Sequence, residues 1–273
     1  MPKWVGFDMD ECIGSVMPLY AFVSELTAGV PRDTMKHALY ASERMRTTWL
    51  IRPAMYYACE LLYTTFKQGG IYGAFIFSNN SSQKLVDFIA EYLNGWMARR
   101  FSDYNRPQIF KMAVCRGSPL RPHGSLEKSV MEIQRSLAGS GLPMLENYTD
   151  LMFFDDMVHV LAGEIPNYVQ VKPYVNCCPL DRVVLALAEC EKTVGAEKWE
   201  SILTKARSYD TEDRQEGCSK IPPYEKDILA DRHMFLNAFR SFLGDGFLKG
   251  GRRRTKTRRR RSRSKVRKNT LRH

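Results

Sequence analysis

The chain has 273 residues, a hydrophobic fraction of 44% and a formal net charge of +11. That length holds one large α/β domain or one and a half ordinary ones, and the composition excludes a chain disordered or fibrous throughout. No apolar run reaches the length of a bilayer span, charge precedes any apolar segment at the N-terminus so that no signal peptide is read there, and the seven cysteines, lacking any CxxC, read as reduced intracellular thiols.

Lys3 to Phe7 is a short run of β-formers leading directly into Asp8-Met9-Asp10-Glu11. Two carboxylates spaced by one residue at a strand end crowd a cleft mouth. They repel, so the site takes up a cation or a proton, and a hard cation such as Mg2+ suits oxygen ligands. A solvated acidic turn accounts for the same residues equally well. Leu19, Phe22, Val23 and Leu26 then recur at helical spacing until Thr27 to Pro31 breaks the pattern. Asp33 is placed to cap a second helix carrying Met35 to Arg46. Residues 16–50 read as a small helical insertion over the first loop, or simply as core helices.

Pro53 suits a helix start, Met55 to Lys67 keeps helical spacing, and Gly69-Gly70 ends it. Ile71 to Phe77 is a continuous apolar run, as in a strand buried on both faces. It stops at Ser78-Asn79-Asn80-Ser81-Ser82, where Ser82 is placed to cap a helix over Lys84 to Met97. Hydroxyls and fresh backbone N–H groups at such a place can hold an anion, phosphate included. An ordinary strand-to-helix loop has the same composition. Ile109 to Cys115 is a third strand candidate, followed by a Pro- and Gly-rich loop from Gly117 to Gly124. Ser125 is placed to cap the next helix, with Val130, Ile133 and Leu137 on one face. Lys128 then falls in the first turn, where the helix dipole disfavours a cation. The plain alternative is a solvated surface lysine.

Leu151 to Phe154 is a fourth buried strand, ending in Asp155-Asp156, and Tyr168 to Val171 is a fifth. Strands alternating with helices predict an α/β fold whose parallel sheet is covered on both faces. Ligands in such folds bind beyond the carboxyl ends of the strands, and every polar cluster above falls at such an end or just after it. From Pro179 the pattern turns helical, over Val183 to Lys192, Glu197 to Ala206 and, after a charged loop at 208–223, Tyr224 to Leu243. Gly244, Gly246, Gly250 and Gly251 mark a linker. The predicted organisation is a core at 1–178, a helical extension at 179–243 and a flexible basic tail at 244–273.

Asp8-x-Asp10, Ser78, Lys128 and Asp155-Asp156 stand in the order and rough spacing of the four motifs of the haloacid dehalogenase-like (HAD) phosphohydrolases, which residues 1–175 resemble. Lys111 and Lys172 are alternatives for the third motif; Lys128 is preferred because it opens a helix ahead of the fourth-motif strand. Asp8 to Glu11 also resembles the DxDET opening of the C-terminal-domain phosphatase branch, with Cys12 where a threonine is usual. Phe153 to Asp156 followed by His159, and Tyr168 to Tyr174, look like HAD-like proteins of large DNA viruses, in which a basic C-terminus is common.

The resemblance implies a Rossmann-like three-layer core and a phosphomonoester hydrolase. Asp8 would attack phosphorus and Asp10 would serve as general acid and then base. Ser78, Asn79 and Lys128 would hold the phosphoryl oxygens. Mg2+ would be held by Asp8, the Asp10 carbonyl and Asp155, with Asp156 close by or acting through water. The implied location is the host cytoplasm or nucleus, or a virion, rather than outside the cell. About 36 residues separate Ser15 from Pro53, too few for a large lid. An open site suits a macromolecular substrate such as a phosphoprotein or a nucleic-acid end. The competing expectation is a HAD-fold protein without turnover that binds nucleic acid through its tail. Four charges kept in one cleft favour the enzyme, because the fold alone does not require them.

The net charge is concentrated at one end. Residues 252–272 hold 13 of the 41 Lys and Arg and no acid, which leaves 28 basic against 30 acidic residues elsewhere. Such a segment cannot bury a core and reads as disordered on its own. Each phosphate it neutralises releases counterions, and with no aromatic among the arginines it has no means of stacking bases. Ser262 and Ser264, set between arginines, are sites where phosphorylation would weaken the attraction. The full chain is expected to bind DNA or RNA non-specifically at low salt, and a chain ending at Gly250 is not. Salt-sensitive binding retained by the shortened chain in a filter or anisotropy assay would move the nucleic-acid site onto the globule.

Overall fold

The apolar runs pair into one all-parallel sheet of five strands among the described residues, in the order β3–β2–β1–β4–β5. The strands are β1 (Trp4–Phe7), β2 (Gly73–Phe77), β3 (Phe110–Val114), β4 (Leu151–Asp155) and β5 (Asn167–Gln170). The structure, a computed structural model, describes residues 2–26, 31–103, 105, 108–121, 127–209, 219, 221–244 and 247. The basic tail at 252–272, most of the 208–223 loop, the break at 27–30 and the expected helix cap Ser125 lie outside them.

The helices are α1 (Tyr20–Leu26), α2 (Pro31–Arg44), α3 (Pro53–Lys67), α4 (Gln83–Arg100), α5 (Val130–Gly139), α6 (Leu161–Glu164), α7 (Leu180–Ala186), α8 (Ala188–Val194), α9 (Ala196–Tyr209) and α10 (Glu225–Leu243). The expected caps are met in part. Ser82 caps α4, its hydroxyl accepting from the Leu85 N–H at 3.2 Å, and Pro53 opens α3. Asp33 does not cap α2; it sits inside the first turn, 2.8 Å from Lys36. The single helix expected over Val183 to Lys192 is two, α7 and α8, joined at the buried Leu187. The cysteine expectation also needs correction. Cys177 is disulfide-bonded, whereas Cys12, Cys59, Cys115, Cys178 and Cys190 are free.

Strand residues alternate between two faces, and the two faces belong to two different cores. Val5, Phe7, Ala74, Ile76, Met152 and Phe154 share a core with residues of α1–α4 and α7–α10. Trp4, Phe75, Phe77, Met112, Val114, Leu151 and Phe153 face α5 and α6. The result is a Rossmann-like three-layer α/β fold. The crossovers that build β1–β2–β3 lie on one face, and those that reach β4 and β5 lie on the other. The chain therefore reverses direction at β1, and loops leaving β1 and β4 part there to open a crevice.

The helical insertion and the helical extension meet over the first face. Phe22 lies 5.7 Å from Trp199 and Tyr20 lies 4.9 Å from Tyr209, centroid to centroid, and Lys205 bonds Glu25 at 2.5 Å. Farther along, Phe235 and Phe239 of α10 sit against Phe154 of β4 at 5.0 and 6.2 Å. Helix α10 thus covers apolar sheet surface that would otherwise face water.

Gly6 marks the tightest point on the second face. A Cβ there would stand 2.3 Å from Phe153 Cδ2 and 2.7 Å from Phe75 Cζ. The aromatic rings of both neighbouring strands fill the space a side chain would need. Gly6→Ala is expected to destabilise the fold by about 1–3 kcal/mol, the usual penalty for overpacking a rigid core. Urea unfolding measures it; an unchanged midpoint would mean that the rings yield freely.

Candidate active site

Pleat and register bring two carboxylates together before any loop is considered. β1 and β4 run side by side with Phe7 opposite Phe154, so Asp8 and Asp155 follow one rung on. Each shares the parity of the residues that face α5: Trp4 and Gly6 on one strand, Leu151 and Phe153 on the other. Neighbouring strands lie about 4.8 Å apart, which is close for two buried anions. Asp8 is 7% exposed and Asp155 fully buried.

The cation between them is Lys128, itself fully buried. Its Nζ donates to Asp155 Oδ2 at 2.8 Å and makes an ion pair with Asp8 Oδ1 at 3.0 Å. The Asp8 contact lies outside hydrogen-bond alignment, and Oδ1 is buried without a hydrogen-bond donor. Burial alone would lower the Lys128 pKa, but the charges of Asp8 and Asp155 outweigh it and raise the value. The backbone on either side is pinned. The Lys128 carbonyl accepts from the Leu161 N–H at 3.0 Å, and the Val130 N–H donates to Glu164 at 2.6 Å. The helix begins later than expected: Ser129 caps α5, accepting from the Glu132 N–H at 3.3 Å. Lys128 therefore precedes α5, and its position is explained by two carboxylates rather than by the dipole of its helix. Of the alternative lysines, Lys111 lies against Tyr72, 3.9 Å from the ring centroid, and Lys172 is exposed.

Asp156 completes an oxygen cluster. Ligand atoms of Asp8, Asp155 and Asp156 lie within 4.8 Å of one another. Four acids, with Asp10, surround one ammonium, so the cleft is short of positive charge. Burial pushes Asp10 up to about 6 and Asp156 up to about 7 from an ordinary 3.8, and the Asp8 charge adds to both shifts. Asp8 is raised by burial too, against the opposing pull of Lys128. One oxygen each of Asp10 and Asp156 is buried with no hydrogen-bond partner, while Asp8 Oδ1 has the Lys128 ammonium. Such orphaned acceptors, all oxygen, fit a hard divalent cation. The group contains no His or Cys ligand, which is the wrong donor set for zinc; His159 Nε2 lies 3.8 Å from Asp155 Oδ2.

The loop after β1 is tightly wound. The Met9 carbonyl accepts from Ile13 and Gly14 at 3.0 and 3.3 Å, and the Glu11 N–H donates to the Gly14 carbonyl at 2.9 Å. Glu11 takes a left-handed φ of 58°, uncommon for a residue with a side chain. Cys12 is fully buried, with its thiol 3.4 Å from the Phe154 carbonyl. It therefore supports the β1–β4 seam from below. Arg52, 1% exposed, braces the loop from behind, donating to the Glu11 carbonyl at 2.7 Å and the Lys172 carbonyl at 2.5 Å. It also pairs with Asp231 of α10 at 3.1 Å.

The expected anion loop follows β2. Ser78 is fully buried, and its hydroxyl accepts from the Asn80 N–H at 3.0 Å. Asn79 Oδ1 accepts from Arg121 at 3.0 Å. Two residues that sequence reading missed hold this loop. Asn80 bonds Asp10 Oδ2 through its amide at 3.1 Å, while its Oδ1 accepts from the Ser82 N–H at 2.8 Å. The second bond is an Asx turn, which the Asn80-Ser81-Ser82 run permits and which was the available signal. Arg121, in a Pro-rich loop with no periodicity, offered none. Comparison with protein-family models, curated proteins and solved structures finds no match to this chain.

Acids raised by burial bind protons more tightly folded than unfolded. Folding then takes up protons between about pH 4 and pH 7, and stability falls as pH rises through that window. In chelator, the melting temperature is expected to drop from pH 5 to pH 7.5. A divalent cation at about 100 times its Kd should restore about 5–10 °C at pH 7.5 and less at pH 5. Asp156→Asn should flatten both effects. A melting temperature that rises across the window and ignores Mg2+ would contradict the cluster's assignment.

Proposed function

We propose that the chain is a Mg2+-dependent phosphomonoester hydrolase working through an aspartyl-phosphate. The observation that carries this reading is the single buried lysine shared by Asp8 and Asp155, beside the oxygen group those two acids form with Asp156. The order of the four motifs supports it. A nucleophilic carboxylate approaching a phosphate meets strong repulsion, and a fixed ammonium at that point lowers it. Bound at Asp8, Asp155 and Asp156, Mg2+ would supply the remaining neutralising charge.

The chain's own residues divide the chemistry. An Asp8 oxygen attacks phosphorus, forming the P–O bond while the bond to the leaving oxygen breaks. The departing electron pair takes a proton from Asp10, whose pKa near 6 keeps an acid form available close to neutrality. Asp10, now a carboxylate, takes a proton from water as that water attacks the same phosphorus. The P–O bond to Asp8 breaks, and inorganic phosphate leaves with Asp8 restored. Asn80 holds Asp10 in place. Lys128, Ser78 and Asn79 would hold the phosphoryl oxygens. Asp10 and Asp156 are the partly exposed acids of the set, so a substrate would enter from their side, and a phosphate at the end of a larger molecule suits that approach.

With a generic aryl phosphate and Mg2+, wild type is expected to turn over. Asp8→Asn should lose on the order of 10³-fold or more in kcat, and excess chelator should abolish the rate reversibly. Equal rates in wild type and Asp8→Asn would defeat the reading and leave a binding protein that uses its basic tail.

A further inference from the structure

We propose that Arg121 is the positioning residue that sets the two halves of the phosphate cradle relative to each other, an inference that rests on the phosphatase reading. Arg121 is 2% exposed. A buried guanidinium with no structural task is expensive, so each of its contacts bears on why it is there. Nη1 donates to the Ser78 carbonyl at 3.2 Å and to Asn79 Oδ1 at 3.0 Å. Nη2 donates to the Glu127 carbonyl at 2.8 Å and lies 3.5 Å from Glu132 Oε2. The plane lies over the Phe77 ring, with Cζ 4.5 Å from its centroid.

Two of these partners, Ser78 and Asn79, are proposed phosphate ligands, and a third, Glu127, directly precedes Lys128. One nitrogen grips the loop that carries Ser78 and Asn79. The other grips the peptide directly before Lys128. A rigid planar fork thus fixes the separation of the hydroxyl and amide from the ammonium. The Arg121 backbone is itself held. Its N–H donates to the Ser118 carbonyl at 2.8 Å, and Ser136 of α5 bonds the neighbouring Leu120 carbonyl at 2.9 Å.

Arg121 also decides the chemistry of Asn79. A guanidinium can only donate, so it selects the oxygen end of the amide and makes Nδ2 the donor end. Lysine in this place keeps the charge but has neither the planar fork nor two separated donors.

The test uses the full chain with Mg2+. Turnover of an aryl phosphate is measured together with calorimetric affinity for inorganic phosphate and for Mg2+ alone. Arg121→Lys is expected to raise KM and the phosphate Kd by about 10-fold or more, with a smaller change in kcat and an unchanged Mg2+ affinity. General damage to the fold would instead weaken Mg2+ binding as well. Should Arg121→Lys unfold, Glu132→Gln carries the test, since it loosens one anchor of the fork and is neither a proposed phosphate ligand nor a metal ligand; it should raise the phosphate Kd in the same direction while sparing Mg2+. Unchanged phosphate affinity in either folded variant overturns the proposal, as does a wild type that binds no phosphate. A wild type that binds phosphate without turnover defeats the phosphatase reading alone, and the affinity comparison still decides the role of Arg121.

Discussion

A lysine buried between two aspartates is the contact on which the rest of this structure depends. Parallel pairing of β1 with β4 places Asp8 and Asp155 on one face, one strand spacing apart, beneath apolar helices. Left alone, two such carboxylates would either take protons or push the strands apart. Lys128 removes that choice by pairing with both at 2.8 and 3.0 Å. Removing one member of a buried ionic set typically costs about 3–5 kcal/mol, because the others remain buried and unpaired. The arrangement does not neutralise the cleft, however. Asp10 and Asp156 stay protonated to higher pH than an ordinary acid.

The surroundings of this set are built to hold it still. Arg52 and Arg121 are both almost wholly buried, and each donates to two backbone carbonyls of loops at the carboxyl edge of the sheet. Arg52 ties the loop after β1 to the segment after β5 and, through Asp231, to α10. Arg121 ties the loop after β2 to the segment before α5. Between them the two guanidiniums link elements far apart in sequence, and a left-handed Glu11 is tolerated where so many bonds converge. The helical extension enters this scheme directly, since α10 supplies both Asp231 and the aromatic residues against Phe154.

Much of this was legible along the chain. Continuous apolar runs marked the strands, because a strand covered on both faces has no polar side to show. Acids and small polar residues clustered where those runs stopped, because the carboxyl edge of a parallel sheet is where loops part and side chains meet solvent or ligand. Asp8, Ser78, Lys128 and Asp155 were singled out on those grounds and on a motif resemblance, and the structure places Asp8, Lys128 and Asp155 in contact. The start of α5 was misread because Ser125 and Ser129 are equally good caps by type. The division at Leu187 and the bonded Cys177 were missed for a related reason: neither leaves a mark in hydrophobic period.

The sequence by itself determined the period-2 and period-3.6 patterns, the strand-end acids and the charge of the tail, since each is a property of neighbours in the chain. It did not determine which carboxylate Lys128 would meet, that Asn80 would hold Asp10, or that Arg52 and Arg121 would be buried. Those depend on strand order and register, which bring residues tens of positions apart to between 3.0 and 3.2 Å of each other. An arginine in a loop has the same local signature whether it faces water or a backbone carbonyl. Only burial distinguishes the two, and burial is settled by the packing of the whole fold.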